Sequence, residues 1–167
     1  MHDDEKQKNY ELAEKLISEQ NFSAAVAVGA VATLLAAVAY SITVATWPIA
    51  YGFAAAGVGI VIGSPMGFLG RGISTKFAVA AAVYTLVGCV LGNLLHVIIN
   101  LALAARTSPI DVLQNNSLSA LADRASANVL SIALVYWFVA VAAAVFLSKR
   151  PLSRSDRLAI SLYELRG

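Results

Sequence analysis

The sequence predicts an all-α integral membrane protein, a bundle of four transmembrane helices with amphipathic helices at its N- and C-terminal ends. Three observations support this fold class. The 167 residues are 59% hydrophobic and only 13% charged, and the mean hydropathy is +0.72, which is far from an ordinary soluble domain. The charged residues are concentrated near the chain ends and in one short loop. Four apolar runs reach the roughly 20 residues that a helix needs to cross the hydrocarbon core.

The limits of these runs follow from charged residues and prolines. The first run ends near Trp47, where Pro48 disfavours a helical conformation and the indole favours the membrane interface. The second gives way to a polar loop with two glycines that includes Arg71 and Lys76. The third is longer than a perpendicular helix requires and is expected to tilt or to project beyond the membrane. The predicted spans are 22–44, 49–69, 77–105 and 128–147.

The distribution of Lys and Arg predicts the orientation. Ten of the twelve cations lie in the leader, the second loop and the tail, and only Arg106 and Arg124 lie on the other side. Because cations are retained in the cytoplasm, both termini are predicted there. An acidic amphipathic leader (1–21) and a basic tail (148–167) therefore flank the membrane domain (22–147). The region 106–127 is polar and is predicted to hold a short interfacial helix.

Cations at the cytoplasmic interface are expected to bind lipid headgroups, which makes membrane lipid a predicted partner. In the tail, either Ser153 or Ser155 is predicted to cap a helix that carries two of these cations. The predicted headgroup-binding residues are Arg71, Lys76, Lys149, Arg150, Arg154 and Arg157.

Glycines recur every four residues in the second and third spans. Gly59, Gly63 and Gly67 lie on one face of the second span, and Gly88 and Gly92 repeat the spacing on the third. A face without side-chain bulk lets another helix approach closely, and packing of this kind drives helix association in lipid. We expect spans two and three to dominate the packing. Spacing alone leaves open whether these contacts lie within one chain or between chains.

Polar side chains share one face of the third span. Thr85, Cys89, Asn93, His96 and Asn100 are separated by three or four residues. Because Asn and His are costly in hydrocarbon, these side chains are expected to face other helices or a cavity. Hydrogen bonding between helices is the simplest interpretation, and a polar path for a solute or proton is the alternative.

Residues with the spacing of a catalytic or metal site are absent from the sequence. Cys89 is the only cysteine, and His96 and His2 are the only histidines, on opposite sides of the predicted membrane. A disulfide, a metal site and a haem site are therefore not expected within one chain, and no cofactor is predicted. Nucleophile and phosphate-binding motifs are missing too. The protein is predicted not to be an enzyme, and its few basic residues predict no nucleic-acid partner.

Short motifs between residues 21 and 100 resemble a group of small bacterial multi-pass inner-membrane proteins of uncharacterised function. The resemblance lies in the Asn21-Phe22 start of the first span, a G-x-G-I-x-x-K-F turn (residues 70–77) and a G-C-x-L-G-N segment (residues 88–93). It implies an inner-membrane location and transfers no catalytic residue. The zinc-ribbon head that some similar proteins carry has no counterpart in the acidic leader, so a zinc role does not carry over.

Three functions fit these features. A non-enzymatic assembly or accessory subunit, acting through helix packing, is the leading hypothesis. An oligomeric pore or facilitator for a small solute, lined by the polar face of the third span, is the alternative. A membrane sensor whose cytoplasmic ends bind a partner is a further alternative. A homo-oligomer or a place in a larger membrane complex is expected.

Overall fold

The computed structural model describes residues 3–129 and 133–165, which form eight α-helices and no β-strand. Three helices, α2, α3 and α4, are long and apolar enough to cross a membrane. The prediction of an all-α fold is therefore confirmed for the described residues, and three of the four predicted spans correspond to helices of sufficient length and apolarity. The elements are α1 (Asp3–Ser18), α2 (Phe22–Thr46), a short 3-10 helix (Pro48–Ala50), α3 (Tyr51–Gly70), α4 (Thr75–Ala105), α5 (Pro109–Asn115), α6 (Leu118–Val129), α7 (Ala133–Leu147) and α8 (Arg154–Glu164).

Four of these helices pack as a bundle in the ring order α2, α3, α7 and α4. The core between them contains small side chains and a few large ones, including Tyr40, Ile62, Met66 and Phe77. We call the end at which α2 begins and α3 and α7 end the terminal end, because α1 and α8 adjoin it. The opposite end, where α2 ends and α3 begins, is called the distal end.

The ends of the long helices have local causes. The Asn21 side chain accepts a hydrogen bond from the Ala24 N–H at 2.9 Å and so caps the start of α2. Arg71 and Arg106 terminate α3 and α4 in the left-handed conformation, with φ of 46° and 52°. Their N–H groups bond to carbonyls of the preceding turn, as at many helix C-termini. Each turn therefore places an arginine at a helix end.

The fourth apolar run is divided in the structure. Residue 128 belongs to α6, residues 130–132 of the predicted span lie outside the described residues, and α7 has 15 residues. By itself α7 is shorter than the roughly 20 residues that a perpendicular span requires. It packs along α3 and also contacts α4. The structure thus shows a fourth bundle helix, and its crossing of the membrane remains a prediction.

Two short helices, α5 and α6, occupy the polar region where one interfacial helix was expected. Ser108 and Asp111 form a reciprocal capping box at the start of α5, and Pro109 takes the first helical position. Both helices pack against the distal part of α4, in a small core that includes Val112 and Leu121. One face of the last two turns of α4 is therefore covered by the chain itself, and Leu103, Ala104 and Ala105 stay exposed.

The helices at the two ends of the sequence pack against each other. Ala13 and Leu16 of α1 and Ala159 of α8 are buried, and the rings of Tyr10 and Tyr163 meet edge to face with centroids 6.5 Å apart. Ser153, rather than Ser155, caps α8 and forms a capping box with Asp156. The leader and the tail therefore form one helix pair at the terminal end.

Candidate functional site

The glycine series of α3 faces α7, whereas packing between the second and third spans had been expected to dominate. A Cβ atom on Gly63 would lie 2.7 Å from the Cα and the carbonyl oxygen of Ala144. Cβ atoms on Gly59 and Gly67 would fall against the carbonyl oxygens of Ala140 and Leu147. These neighbours are backbone atoms, so α3 and α7 pack at a separation that only glycine permits.

The two glycines of α4 face other helices of the same chain. A Cβ on Gly92 would lie 2.6 Å from Cδ1 of Tyr40 in α2, and one on Gly88 would lie 3.2 Å from Cδ1 of Ile62 in α3. The five glycines predicted to pack helices thus all lie against this chain's own helices. The contacts of these glycines therefore lie within one chain, which their spacing in the sequence did not decide. The five glycines are buried in the folded protein.

The polar face of α4 is mostly closed by hydrogen bonds within the chain. The Thr85 hydroxyl donates to the Ala81 carbonyl at 2.7 Å, and the Asn93 side-chain NH2 donates to the Ala125 carbonyl of α6 at 2.9 Å. Cys89 lies between them and is fully buried. The Asn93 bond joins two helices, as hydrogen bonding between helices requires, whereas the Thr85 bond lies within α4.

The distal part of the same face is more accessible. His96 is half-buried and Asn100 is exposed, and the Nε2 atom of His96 lies 2.9 Å from Nδ2 of Asn100. The Nδ1 atom of His96 is buried and has no hydrogen-bond partner among the described residues. Of the predicted polar path, Thr85, Cys89 and Asn93 are buried in the bundle, and His96 and Asn100 lie toward its distal edge.

Further polar atoms at the distal end are buried without a partner. They are the hydroxyls of Tyr40 and Tyr51, Oδ1 of Asn93 and Nε1 of Trp137, none of which has a hydrogen-bond partner in the described parts of the chain. The rings of Tyr40 and Tyr51 meet edge to face at 5.7 Å. Asn93 and Trp137 line one cavity of about 350 Å³ between α4, α6 and α7. We call these four residues, with His96, the buried polar cluster.

Most of this cluster was not predicted from the sequence. Asn93 and His96 were predicted as polar residues in a span. Tyr40, Tyr51 and Trp137 come from three other helices and were not. A tyrosine or tryptophan in an apolar run is ordinary in a membrane helix, so only the pairing of helices shows that these polar atoms share one end of the core.

At the terminal end, polar groups are joined by ionic and hydrogen bonds that we call the junction cluster: Glu19, Gln20, Arg71 and Arg150. The Glu19 carboxylate accepts from Arg150 at 2.8 Å and lies 3.4 Å from Arg71. The hydrogen bond from Arg150, together with the charge of Arg71, lowers the pKa of Glu19. The cluster therefore joins the start of α2, the end of α3 and the segment after α7.

Gln20 completes the junction cluster. Its side-chain oxygen accepts hydrogen bonds from the Ile73 N–H at 3.2 Å, the Ser74 N–H at 3.3 Å and the Ser74 hydroxyl at 3.1 Å. The Asn21 N–H donates to the Gly70 carbonyl, and the Arg150 N–H donates to the Gly72 carbonyl. The loop between α3 and α4 is thus fixed from both sides by the two ends of the chain.

The cations predicted to bind headgroups have different surroundings. Arg71 and Arg150 are occupied by Glu19, and the Lys76 ammonium lies 5.2 Å from the ring centroid of Phe22. Lys149 and Arg157 line a cavity beside α7, and Arg154 is exposed on α8. Two of the six predicted residues therefore have an ionic role within the chain, which spacing in the sequence did not reveal.

No group of three or more side chains that could hold a metal ion occurs among the described residues. No protein-family model, no curated protein and no solved structure matches this chain.

Proposed function

We propose that this protein is a non-enzymatic accessory or assembly subunit of a bacterial inner-membrane complex, with both termini in the cytoplasm. The observation that carries the proposal is the helix pair α1–α8, which is joined to the bundle through Glu19 and Arg150. The chain uses its glycine contacts internally, so a partner must bind elsewhere on its surface. The α1–α8 pair exposes apolar side chains for this, namely Ile17, Leu158 and Leu165.

The membrane position of α7 is part of the proposal. Its contacts with α3 run from Ala140 to Leu147, opposite Gly59 to Gly67, and α3 is long and apolar enough to cross a membrane. A helix packed along a spanning helix lies at the same depth, which supports a fourth span. The cations Arg71, Lys76, Lys149 and Arg150 adjoin the terminal end, and this supports a cytoplasmic location for that end.

The test is native mass spectrometry of the protein extracted gently from its host at natural abundance. We expect a complex with a different protein, which Leu158→Gln in α8 weakens. Leu113→Gln in α5 is the matched control, because the two leucines are exposed to a similar degree, 52% and 47%, at opposite ends of the molecule. A monomer in every preparation would contradict the proposal. Loss of the complex in both variants would contradict the assignment of α8.

An oligomeric facilitator for a small solute is the second candidate, and the buried polar cluster is the observation that favours it. Its unpartnered donors and acceptors could bind a polar solute within the bundle. This function requires an aqueous path to the neighbouring Cys89, which is fully buried here.

Labelling with a small charged thiol reagent separates the two functions. As an accessory subunit the folded protein leaves Cys89 unlabelled, whereas a facilitator is labelled. A Cys89→Ser/Ser119→Cys variant is the positive control, because Ser119 is exposed at the start of α6. Labelling of Cys89 at the rate of this control would move the assignment to the facilitator.

A further inference from the structure

A cavity of about 860 Å³ lies beside the terminal end of α7, between that helix, the segment that follows it and the start of α8. Its α7 wall is apolar and contains Ala142, Val145 and Phe146, which are spaced as one helical face. Its other side carries three cations, Lys149, Arg150 and Arg157.

The charge of this cavity differs from that of its neighbour. A second cavity, of about 510 Å³, lies on the other side of the same segment and contains three cations, but Glu19 lies among them. The cavity beside α7 has no carboxylate among its described lining residues. Arg150 is directed to Glu19, whereas Lys149 and Arg157 form no ion pair with any described carboxylate. Two cations therefore remain for an external anion.

The carboxylate next to Arg157 in the sequence is already engaged. Asp156 accepts a hydrogen bond from the Ser153 N–H at 3.0 Å in the capping box of α8, and it does not line the cavity. These bonds from Ser153 lower the pKa of Asp156. The carboxylate thus serves the helix start and leaves the adjacent Arg157 available to another anion.

We infer that this cavity binds one anionic phospholipid, with its phosphate at Lys149 and Arg157 and an acyl chain along Ala142, Val145 and Phe146. The inference depends on the proposed membrane position of α7. Phe146 is 79% exposed, which suits a side chain against lipid. Lys149 lies two residues beyond the end of α7, and Arg157 lines the same cavity from α8. Cations at the end of an apolar helix lie near the depth of lipid phosphates, and they favour anionic over zwitterionic headgroups.

The experiment uses the full chain in nanodiscs that contain equal amounts of phosphatidylglycerol and phosphatidylcholine. Native mass spectrometry after release measures the ratio of the two lipids that remain bound. We expect phosphatidylglycerol to be enriched, and Lys149→Gln/Arg157→Gln to lower the ratio about fivefold for each cation removed. Ala142→Trp should displace both lipids, because it fills the apolar wall without changing the charge.

Two further variants serve as controls. Lys8→Gln removes an exposed cation of α1 outside the cavity and should leave the ratio unchanged. Lys149→Arg/Arg157→Lys keeps both charges and should retain the enrichment. If the double Gln variant melts like the natural protein and keeps its enrichment, or if Lys8→Gln loses as much, the inference is overturned. Binding of a partner protein is tested separately, with Leu158→Gln. A negative result for lipid binding can therefore be distinguished from a negative result for the subunit proposal.

Discussion

At the terminal end of the bundle, Glu19 and Gln20 bond to both neighbouring chain segments, whereas at the distal end the hydroxyl of Tyr40 and the indole N–H of Trp137 are buried without a partner. The terminal polar groups are part of what stabilises the fold. The distal ones reduce its stability, because a buried polar group without a hydrogen bond loses its hydration without compensation. Such groups are most easily explained by a role other than stability.

Two glycines of α3 differ in what a Cβ atom would meet, and this difference predicts the largest effect. A Cβ on Gly67, near the terminal end, would meet the Leu147 carbonyl, whereas one on Gly52, at the distal end, would meet the Tyr136 side chain. The backbone cannot move aside, but the Tyr136 side chain can shift. We expect Gly67→Ala to lower the free energy of unfolding by about 3 kcal/mol and Gly52→Ala by about 1 kcal/mol or less. Thermal unfolding in detergent measures both.

Gly57→Ala is the control for these two variants, because a Cβ there meets nothing within 4 Å. It should raise stability slightly, since alanine favours the helix by about 0.5–1 kcal/mol over glycine. Equal losses in Gly67→Ala and Gly52→Ala would show that a backbone neighbour costs no more than a side-chain neighbour at these two positions.

Much of the fold could be predicted from the sequence, because three apolar runs are long and lack charge. The helix that packs against the glycine face could not be predicted, because spacing identifies a face of a helix and does not identify the helix that covers it. Gly59, Gly63 and Gly67 meet α7, which is distant in sequence. The ion pair between Glu19 and Arg150 could not be predicted for the same reason, because the two residues are 131 positions apart in the sequence. For the candidate site, spacing identified Asn93 and His96, and the tyrosines and Trp137 required the tertiary arrangement.

The next largest predicted effect is a loss of stability when Gln20 is replaced. Gln20→Leu should destabilise the protein by about 1–3 kcal/mol, because the N–H groups of Ile73 and Ser74 lose their acceptor. Chemical or thermal unfolding measures the loss. Gln7→Leu is the matched control, because Gln7 is exposed on α1 and bonds only to Glu11, at a long 3.4 Å. An unchanged unfolding midpoint in Gln20→Leu would show that water replaces the lost acceptor and that the loop does not depend on this residue.

Removal of a polar group at the distal end should instead raise the free energy of unfolding. The Tyr40 hydroxyl lies near Tyr51 and Trp137 but makes no hydrogen bond of standard geometry with a described residue. Tyr40→Phe removes this hydroxyl and keeps the ring contact with Tyr51. We expect the free energy of unfolding to rise by about 1 kcal/mol. The unfolding midpoint should therefore shift upward in Tyr40→Phe and downward in Gln20→Leu. A decrease in Tyr40→Phe would show that the hydroxyl is satisfied in the folded protein, and the contrast between the ends would fail.

The smallest effect is the pH dependence of the junction cluster. The hydrogen bond from Arg150 and the charge of Arg71 lower the pKa of Glu19 below its ordinary value of 4.5. A carboxyl whose pKa is lower in the folded state contributes stability above its unfolded pKa, and loses it as the pH falls through the folded pKa. Glu19→Gln should therefore melt below the natural protein near neutrality, and the two should converge well below pH 4.5. Glu14→Gln, which removes an exposed carboxylate of α1 outside the cluster, is the matched control and should melt with the natural protein near neutrality. Because Glu19 is partly solvated, the difference is small. Parallel curves of melting temperature against pH for the natural protein and Glu19→Gln would show that this carboxylate does not stabilise the terminal end.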